Sequence, residues 1–368
     1  MIKNIKTKIK IALINLSLVL ISILVSLLVC EYIIRIVVPQ NLSGTWIIST
    51  DKGLLVNKSS GSSRHQDGKH IVIYNFYEPH LRDTPLNESS IKILVVGDSF
   101  TFGYLLDKKD TFVYHLQEYA DKEFGREKFC FLNAGTGGWG TADYVAFIED
   151  FGEIIKPRIV LVIINRSDME RSMERKLFTL TSKTKLDLRR NILKSSYLKK
   201  LTNSIPGYQW LLEHSHLVQL LRNRYVYLMQ NEKGINMQTK ITNGSSRDQL
   251  DLSRRDTIIL GQALFTRLKK WCDTHKVNLY ITTTGWFPLE DANNTTDPTR
   301  LFMSTAQQFF TSINVPFYDI SPTIIEVKKK TQNKYILPDG HPNEEGNRLI
   351  AEKIWQYFFK QLGSTGGV

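Results

Sequence analysis

The sequence predicts an α/β domain built on a mostly parallel sheet with helices on both faces, carried behind one membrane-spanning helix. Three observations predict it. From residue 91 onward, short β-branched apolar runs alternate with stretches of helical periodicity, the pattern of strand–helix–strand units. The run Ile159–Ile164 is continuous in apolar character, as expected when a sheet is buried on both faces. Ahead of them, residues 11–30 carry no charge and consist largely of Ile, Leu and Val.

That first run would span a hydrocarbon layer of about 30 Å as a helix. Lys3, Lys6, Lys8 and Lys10 precede it, whereas Arg35 on the far side is balanced by Glu31. The asymmetry places the N-terminus in the cytoplasm and the rest of the chain outside it, in a periplasm or at a cell surface. A cleavable signal peptide would have a shorter apolar region and a small-residue cleavage site, which this run lacks. Cys30, preceded by Leu28 and Val29, does not fit a lipoprotein signal either. Residues 1–38 are therefore expected to be a cytoplasmic tail and signal anchor.

Residues 39–90 read as an irregular, polar lead-in, with Ser59–Ser63 as its most flexible stretch. Residues 91–363 form the α/β domain. Ile91–Val96, Phe129–Leu132, Ile159–Ile164, Val277–Thr283 and Val315–Ile320 are the predicted strands. Predicted helices follow Asp110 or Thr111, which can act as N-caps, and cover Ala142–Ile155 and Arg255–His275. A last helix starts at the Asn343 cap and runs to about Phe359. Residues 169–250 break the rhythm and are too long for an ordinary connection. They read as a basic helical insertion at one sheet edge, with helical patches at Ile192–Leu201 and Gln209–Met229.

The 368-residue chain has a formal net charge of +12. Residues 169–245 hold 14 Lys or Arg against 5 Asp or Glu, and the lysines of the tail add four more positive charges, so the α/β body is close to neutral. With the basic excess confined to these two places and no nucleic-acid reader motif present, no nucleic-acid partner is expected. The insertion instead faces an acidic glycan, anionic lipid headgroups or plain solvent. The three cysteines form no framework and no CxxC pair. There is no HExxH and no phosphate-binding glycine spacing, and His214-x-His216 reads as surface or packing, so no metal or cofactor is expected.

The chemistry-bearing residues cluster at predicted strand ends, where ligands collect in doubly wound sheets. Gly97-Asp98-Ser99 follows the first strand directly. Asp339-Gly340-His341-Pro342-Asn343 fills the loop before the last helix. A carboxylate two residues from an imidazole can fix its tautomer and orient it as a base for a serine. The loop Asn133–Gly140 follows the second strand, and its glycines expose backbone N–H groups that can hold an oxyanion. Trp139 and Trp286 follow strand ends, where an indole either packs into the core or stacks on a sugar face.

These blocks resemble those of the SGNH (GDSL-type) hydrolases, over about residues 91–168 and 255–360. The resemblance implies a flavodoxin-like three-layer α/β fold and activity on esters. It implies Ser99 as nucleophile, His341 as general base and Asp339 as its charge partner. It further implies that the Ser99 and Gly138 amides form the oxyanion hole. The third block departs from the family's Gly-x-Asn-Asp: the run is Asn165-Arg166-Ser167-Asp168, so Ser167 stands where the oxyanion-binding Asn belongs, and Asn165 is the other candidate donor. Membrane-anchored relatives of this layout are associated with envelope or exported polysaccharides. The implied substrate is thus an acylated glycan, processed by hydrolysis or by transfer through an acyl-serine. With Ser167 in the third block, the alternative is a weakened domain that binds or scaffolds glycan at the membrane surface.

Overall fold

The structure, a computed structural model, describes residues 2–180, 186–188, 205–241, 247–284, 297–331, 335–337 and 339–360. It divides into two compact units. The smaller comprises residues 1–45, 64–71 and 201–243, and the larger comprises the rest.

In the larger unit, five parallel strands form the centre of the sheet: β6 (Ile91–Val96), β7 (Phe129–Asn133), β8 (Ile159–Ile164), β11 (Asn278–Thr283) and β12 (Phe317–Tyr318). Their spatial order is β7-β6-β8-β11-β12, the 2-1-3-4-5 order of the flavodoxin-like fold, with every pair between them parallel. Alternate residues of each strand serve opposite layers. Leu94, Val96, Leu132, Val160 and Val162 face one core with helices α4 (Thr141–Ile155), α8 (Arg247–Thr274) and α9 (Pro298–Ser312). Ile93, Val95, Phe131, Leu161 and Ile163 face the other with α3 (Phe112–Phe124), α10 (Ser321–Thr331) and α11 (Glu344–Ile354). This is the three-layer arrangement the sequence predicts.

The lead-in corrects an expectation. Residues 39–90 are not irregular: β1 (Ile47–Ser49) pairs with β2 (Leu55–Asn57), while β3 (Gly61–Asp67), β4 (His70–Tyr77) and β5 (Leu81–Arg82) extend the main sheet beyond β7. β5 pairs antiparallel with both β4 and β7. Val72, Tyr74 and Phe76 of β4 are buried, and Trp46 and Phe102 pack with them in a small aromatic core of their own. Ser59–Ser63, expected to be flexible, leads into and begins β3.

Of the insertion, β9 (Phe178–Leu180) pairs antiparallel with β10 (Leu186–Leu188). Helices α6 (Tyr208–His214) and α7 (His216–Ile241) match the predicted Gln209–Met229 patch, but the Ile192–Leu201 patch lies outside the described residues.

The smaller unit holds α1 (Ile2–Val37), within which Thr7–Val37 is long and apolar enough to cross a membrane. Ser17, Ser22 and Ser26 return their hydroxyls to carbonyls four residues earlier, at 2.8 to 2.9 Å, so their polar groups are satisfied within the helix. The same unit buries His65, and that burial pushes its imidazole down to about 4 against the opposing pull of Asp67. A folded-state value below the ordinary 6.5 means that the unfolded chain takes up the proton first on acidification. The stability contributed by neutral His65 is therefore complete above pH 6.5 and is lost as pH falls toward 4. The expected loss reaches roughly 3 kcal/mol. Hydrogen exchange across residues 64–71 between neutral and acid pH checks it, and a His65→Gln variant should show a flatter profile.

Candidate active site

Ser99 is the first residue of a four-residue helical turn, α2 (Ser99–Phe102), directly beyond β6. Asp98 caps that turn: its Oδ1 accepts from the Phe100 N–H at 2.9 Å. The other carboxylate oxygen accepts from Asn165 Nδ2 at 2.7 Å and from an Arg171 guanidinium nitrogen at 2.8 Å. Asp98 is fully buried, so its charge needs these partners. The consequence is that the backbone bearing Ser99 is held from three elements: its own turn, the end of β8 and helix α5 (Asp168–Arg175).

His341 lies in the loop before α11. Its Nε2 is 2.8 Å from Ser99 Oγ, and its Nδ1 is 3.0 Å from Asp339 Oδ2. Asp339 also accepts the His341 backbone N–H through Oδ1, at 3.1 Å, so the carboxylate grips both the ring and the main chain of the histidine. With Nδ1–H donating to the carboxylate, Nε2 is left as acceptor for the serine hydroxyl. The rings of Phe100 and Tyr104 tilt against the imidazole, with centroids 4.7 and 5.1 Å away. Asn347 of α11 steadies the loop from behind: its amide donates to Pro342 and Asn343 carbonyls, and its oxygen accepts the Phe112 N–H at the start of α3. The structure thus brings Ser99 together with Asp339 and His341, which lie more than 200 residues further along the chain.

The second block is stitched to the first. Asn133 donates from Nδ2 to the Thr101 carbonyl and accepts from the Gly135 N–H, both at 2.9 Å. The Thr136 N–H donates to the Gly97 carbonyl at 3.1 Å. At Gly135 a Cβ would run into the backbone of Thr101 and Phe102, which is why this close approach requires glycine. Gly138 takes a φ of +77°, the left-handed region, on the same loop. Neither the Ser99 nor the Gly138 N–H donates to a protein acceptor among the described residues, which leaves both amides available to a ligand oxygen.

The third block is arranged differently from expectation. Asn165 does not present its amide to the site, because Nδ2 donates to Asp98 while Oδ1 accepts from the Arg166 N–H and the Thr284 hydroxyl. It is a positioning residue for the Ser99 turn. Ser167 stands at the N-cap of α5, half-buried, and its hydroxyl makes no capping bond. Asp168 is fully buried, accepting from the Asn165 N–H at 2.7 Å and the Tyr144 hydroxyl at 2.8 Å. Burial, reinforced by the nearby Asp98 charge, pushes its carboxyl well above the usual carboxylate range. Arg171 is 2.8 Å from Asp98 and 4.0 Å from Asp168, so the cation lies closer to Asp98.

Several contributors were not singled out from the sequence. Arg171 lies one helical turn beyond Asp168, a spacing that could have suggested it. Asn57 donates to the Gly135 carbonyl at 2.9 Å from within the lead-in. Arg82 is fully buried, pairs with Asp83 at 2.7 Å, and donates to the carbonyls of Phe102, Gly103 and Leu106. It therefore holds the chain just after Ser99. Of the two readings of Trp139, packing holds: it is fully buried against Tyr144 and Phe147, with its indole N–H donating to the Leu55 carbonyl, and offers no sugar platform. Trp286 lies outside the described residues. His216 likewise serves packing, its Nδ1 accepting the Gln40 N–H at 2.9 Å.

All of the blocks that carry the SGNH resemblance thus meet at the carboxyl ends of β6, β7 and β8, at the switch point of a flavodoxin-like sheet. No protein-family model matches the chain, and no curated protein matches it. Among solved structures it is similar to the psychrotrophic esterase EstA from Pseudoalteromonas sp., at 14% identity and a TM-score of 0.41 over 74% of this chain and 99% of that one. It is also similar to the acetyl xylan esterase AlAXEase, at 13% and 0.41 over 73% and 100% of the two chains. A variant of the acetyl xylan esterase Axe2 from Geobacillus stearothermophilus follows at 14% and 0.39, over 72% and 93%. Likenesses this distant carry no weight for the chemistry, which rests on the site's own geometry.

Proposed function

We propose that the chain is a serine ester hydrolase of the SGNH type, with Ser99 as nucleophile, His341 as general base and Asp339 as the carboxylate that orients it. The observation that carries this reading is the relay Ser99 Oγ–His341 Nε2–Asp339, at 2.8 and 3.0 Å. In the first step Ser99 Oγ bonds to the ester carbonyl carbon as its proton passes to His341 Nε2. The oxyanion sits between the Ser99 and Gly138 N–H groups. Collapse expels the alcohol, which takes the proton from His341 and leaves an acyl-serine. A second nucleophile then repeats the cycle in reverse: water gives a free acid and a sugar hydroxyl gives a transferred ester.

The reading extends to an acylated glycan of the cell envelope or an exported polysaccharide as substrate, outside the cytoplasm. It is supported by the apolar N-terminal helix, the charge asymmetry around it and the layout of the resembling family. The third oxyanion donor is the weak point of the site, since Asn165 is committed to Asp98 and Ser167 donates from a shorter arm. That same observation is the one that favours a binding-only domain as the second reading. The test is release of acetate from O-acetylated polysaccharide by the full chain in detergent, with labelled acetyl followed into products. Free labelled acetate, or label moved onto an added glycan acceptor, supports turnover. Label retained on the donor, with the polysaccharide bound, supports the binding-only reading.

A further inference from the structure

In the smaller unit, the helices of the insertion are fastened to the end of the membrane-spanning helix. Glu31 lies one residue beyond the uncharged run, and its carboxylate caps α7. It accepts from the Ser215 hydroxyl at 2.8 Å and from the His216 and Leu217 N–H groups at 3.0 and 2.8 Å. One turn later Arg35 donates to the His214 carbonyl, the last of α6, at 3.2 Å, while also pairing with Glu31. Each end of the α6–α7 corner is thus satisfied by a charge of α1 that the corresponding helix terminus favours. Gln40 and Ser43, just after α1, continue the attachment: the Gln40 N–H donates to His216, and Arg222 donates to the Ser43 carbonyl.

Beyond this corner the helices turn large apolar side chains to the outside. Ile205 is 52% exposed, Trp210 60% and Leu221 62%, while Tyr225, Tyr227 and Leu228 are each about half exposed. Leu221, Tyr225 and Leu228 recur at four- and three-residue spacing, which puts them on one side of α7. Arg224 reaches over the Tyr227 ring at 5.3 Å. Trp, Tyr and Arg beside aliphatic side chains is the composition of a polar–apolar boundary, where indole and phenol rings sit at headgroup level and arginine stems lie along acyl chains.

We propose that α6 and the first half of α7 lie in the outer headgroup layer of the bilayer that α1 crosses, with Trp210 and Leu221 inserted below the lipid phosphates. The occupant of this apolar surface is lipid, because the surface begins where the membrane-spanning helix leaves the hydrocarbon and is bonded to its last turns. Arg224, on the first half of α7, then lies where anionic headgroups attract basic side chains. The proposal rests on α1 being a membrane anchor and is independent of the esterase reading.

The test uses the full chain in nanodiscs of phosphatidylcholine and phosphatidylglycerol. Single spin labels are placed by Trp210→Cys, Leu221→Cys, Val25→Cys and Glu123→Cys in a Cys30→Ser background. Collision with oxygen and with a water-soluble nickel chelate is measured at each. Labels at 210 and 221 are expected to favour oxygen over nickel, like the label at 25 and unlike the one at 123, with depths of roughly 5–10 Å below the phosphates. If 25 is lipid-exposed but 210 and 221 match 123, the anchor stands and the proposal falls. In that case, protection of 210 and 221 only on adding an acidic polysaccharide would assign the surface to glycan. Low collision with both reagents at 210 and 221 would mean a protein contact, such as a second copy, and would also overturn the proposal. Water exposure at 25 would remove the anchor and the proposal together.

Discussion

Replacing Ser99 with alanine is expected to lower hydrolysis of p-nitrophenyl acetate by on the order of 10⁴- to 10⁶-fold, to a rate set by background hydrolysis and residual binding. The physical reason is that the hydroxyl lies 2.8 Å from the imidazole nitrogen left free by Asp339. His341→Ala should cost a comparable factor, because without it the serine proton has no acceptor. Asp339→Asn should cost about 10⁴-fold, since an amide facing Nδ1 can select the wrong tautomer. Combining Ser99→Ala with His341→Ala should add little to either alone, the signature of groups that act as one unit. Steady-state kinetics on all four proteins, each shown to fold by circular dichroism, reads this out. A Ser99→Ala protein as active as the parent would remove Ser99 from the mechanism.

The largest stability effect is expected at Arg82. Its side chain is fully excluded from solvent, pairs with Asp83 at 2.7 Å and donates to three carbonyls of the segment following Ser99. The guanidinium also lies over the rings of Tyr74 and Phe102, each 4.5 Å from the ring centroid. Arg82→Leu would leave Asp83 and those carbonyls without their donor in a dry environment. Breaking such a buried pair from one side costs about 3–5 kcal/mol. Arg82→Lys should recover little of it, because an ammonium cannot span four acceptors held in a planar fork. Urea unfolding should show a lower midpoint for both variants with similar slopes. Esterase rate should fall alongside, because the same carbonyls belong to the turn that aims Ser99.

The parts of the fold that were legible in the sequence share a physical cause. Ile93–Val96 and Ile159–Ile164 are buried on both faces, so each is a run of apolar residues closed by a glycine or a polar residue, and the structure carries strands over both. The lead-in strands hide for the opposite reason. In β4 the buried Val72, Tyr74 and Phe76 alternate with Ile71 and Ile73, which are about half exposed, so apolar residues on both faces erase the period of two. β3 carries its buried positions on Ser63 and His65, with no aliphatic residue to mark them. Helix α9 did have a signal, Asp297 capping with Pro298 in the first turn, the usual start of a helix. In the candidate site, the meeting of Ser99 with Asp339 and His341 was legible because the residue types that the proposed relay needs fall in short motifs. Arg171, Asn57 and Arg82 were not, because each acts on backbone or carboxylate groups brought near it only by folding. Asn165 shows the limit most clearly: its amide was within reach of a catalytic role by spacing, yet the buried charge of Asp98 takes it.

The most direct measurement is covalent trapping with a fluorophosphonate, followed by peptide mapping of the full chain. Attack by an activated serine expels fluoride and leaves a stable phosphonate ester in the position of the acyl-enzyme. The account predicts one phosphonate per chain, on Ser99, forming in step with loss of esterase activity and greatly slowed in His341→Ala. Esterase activity that survives without a Ser99 adduct, or that is lost through modification of a different residue, would contradict it.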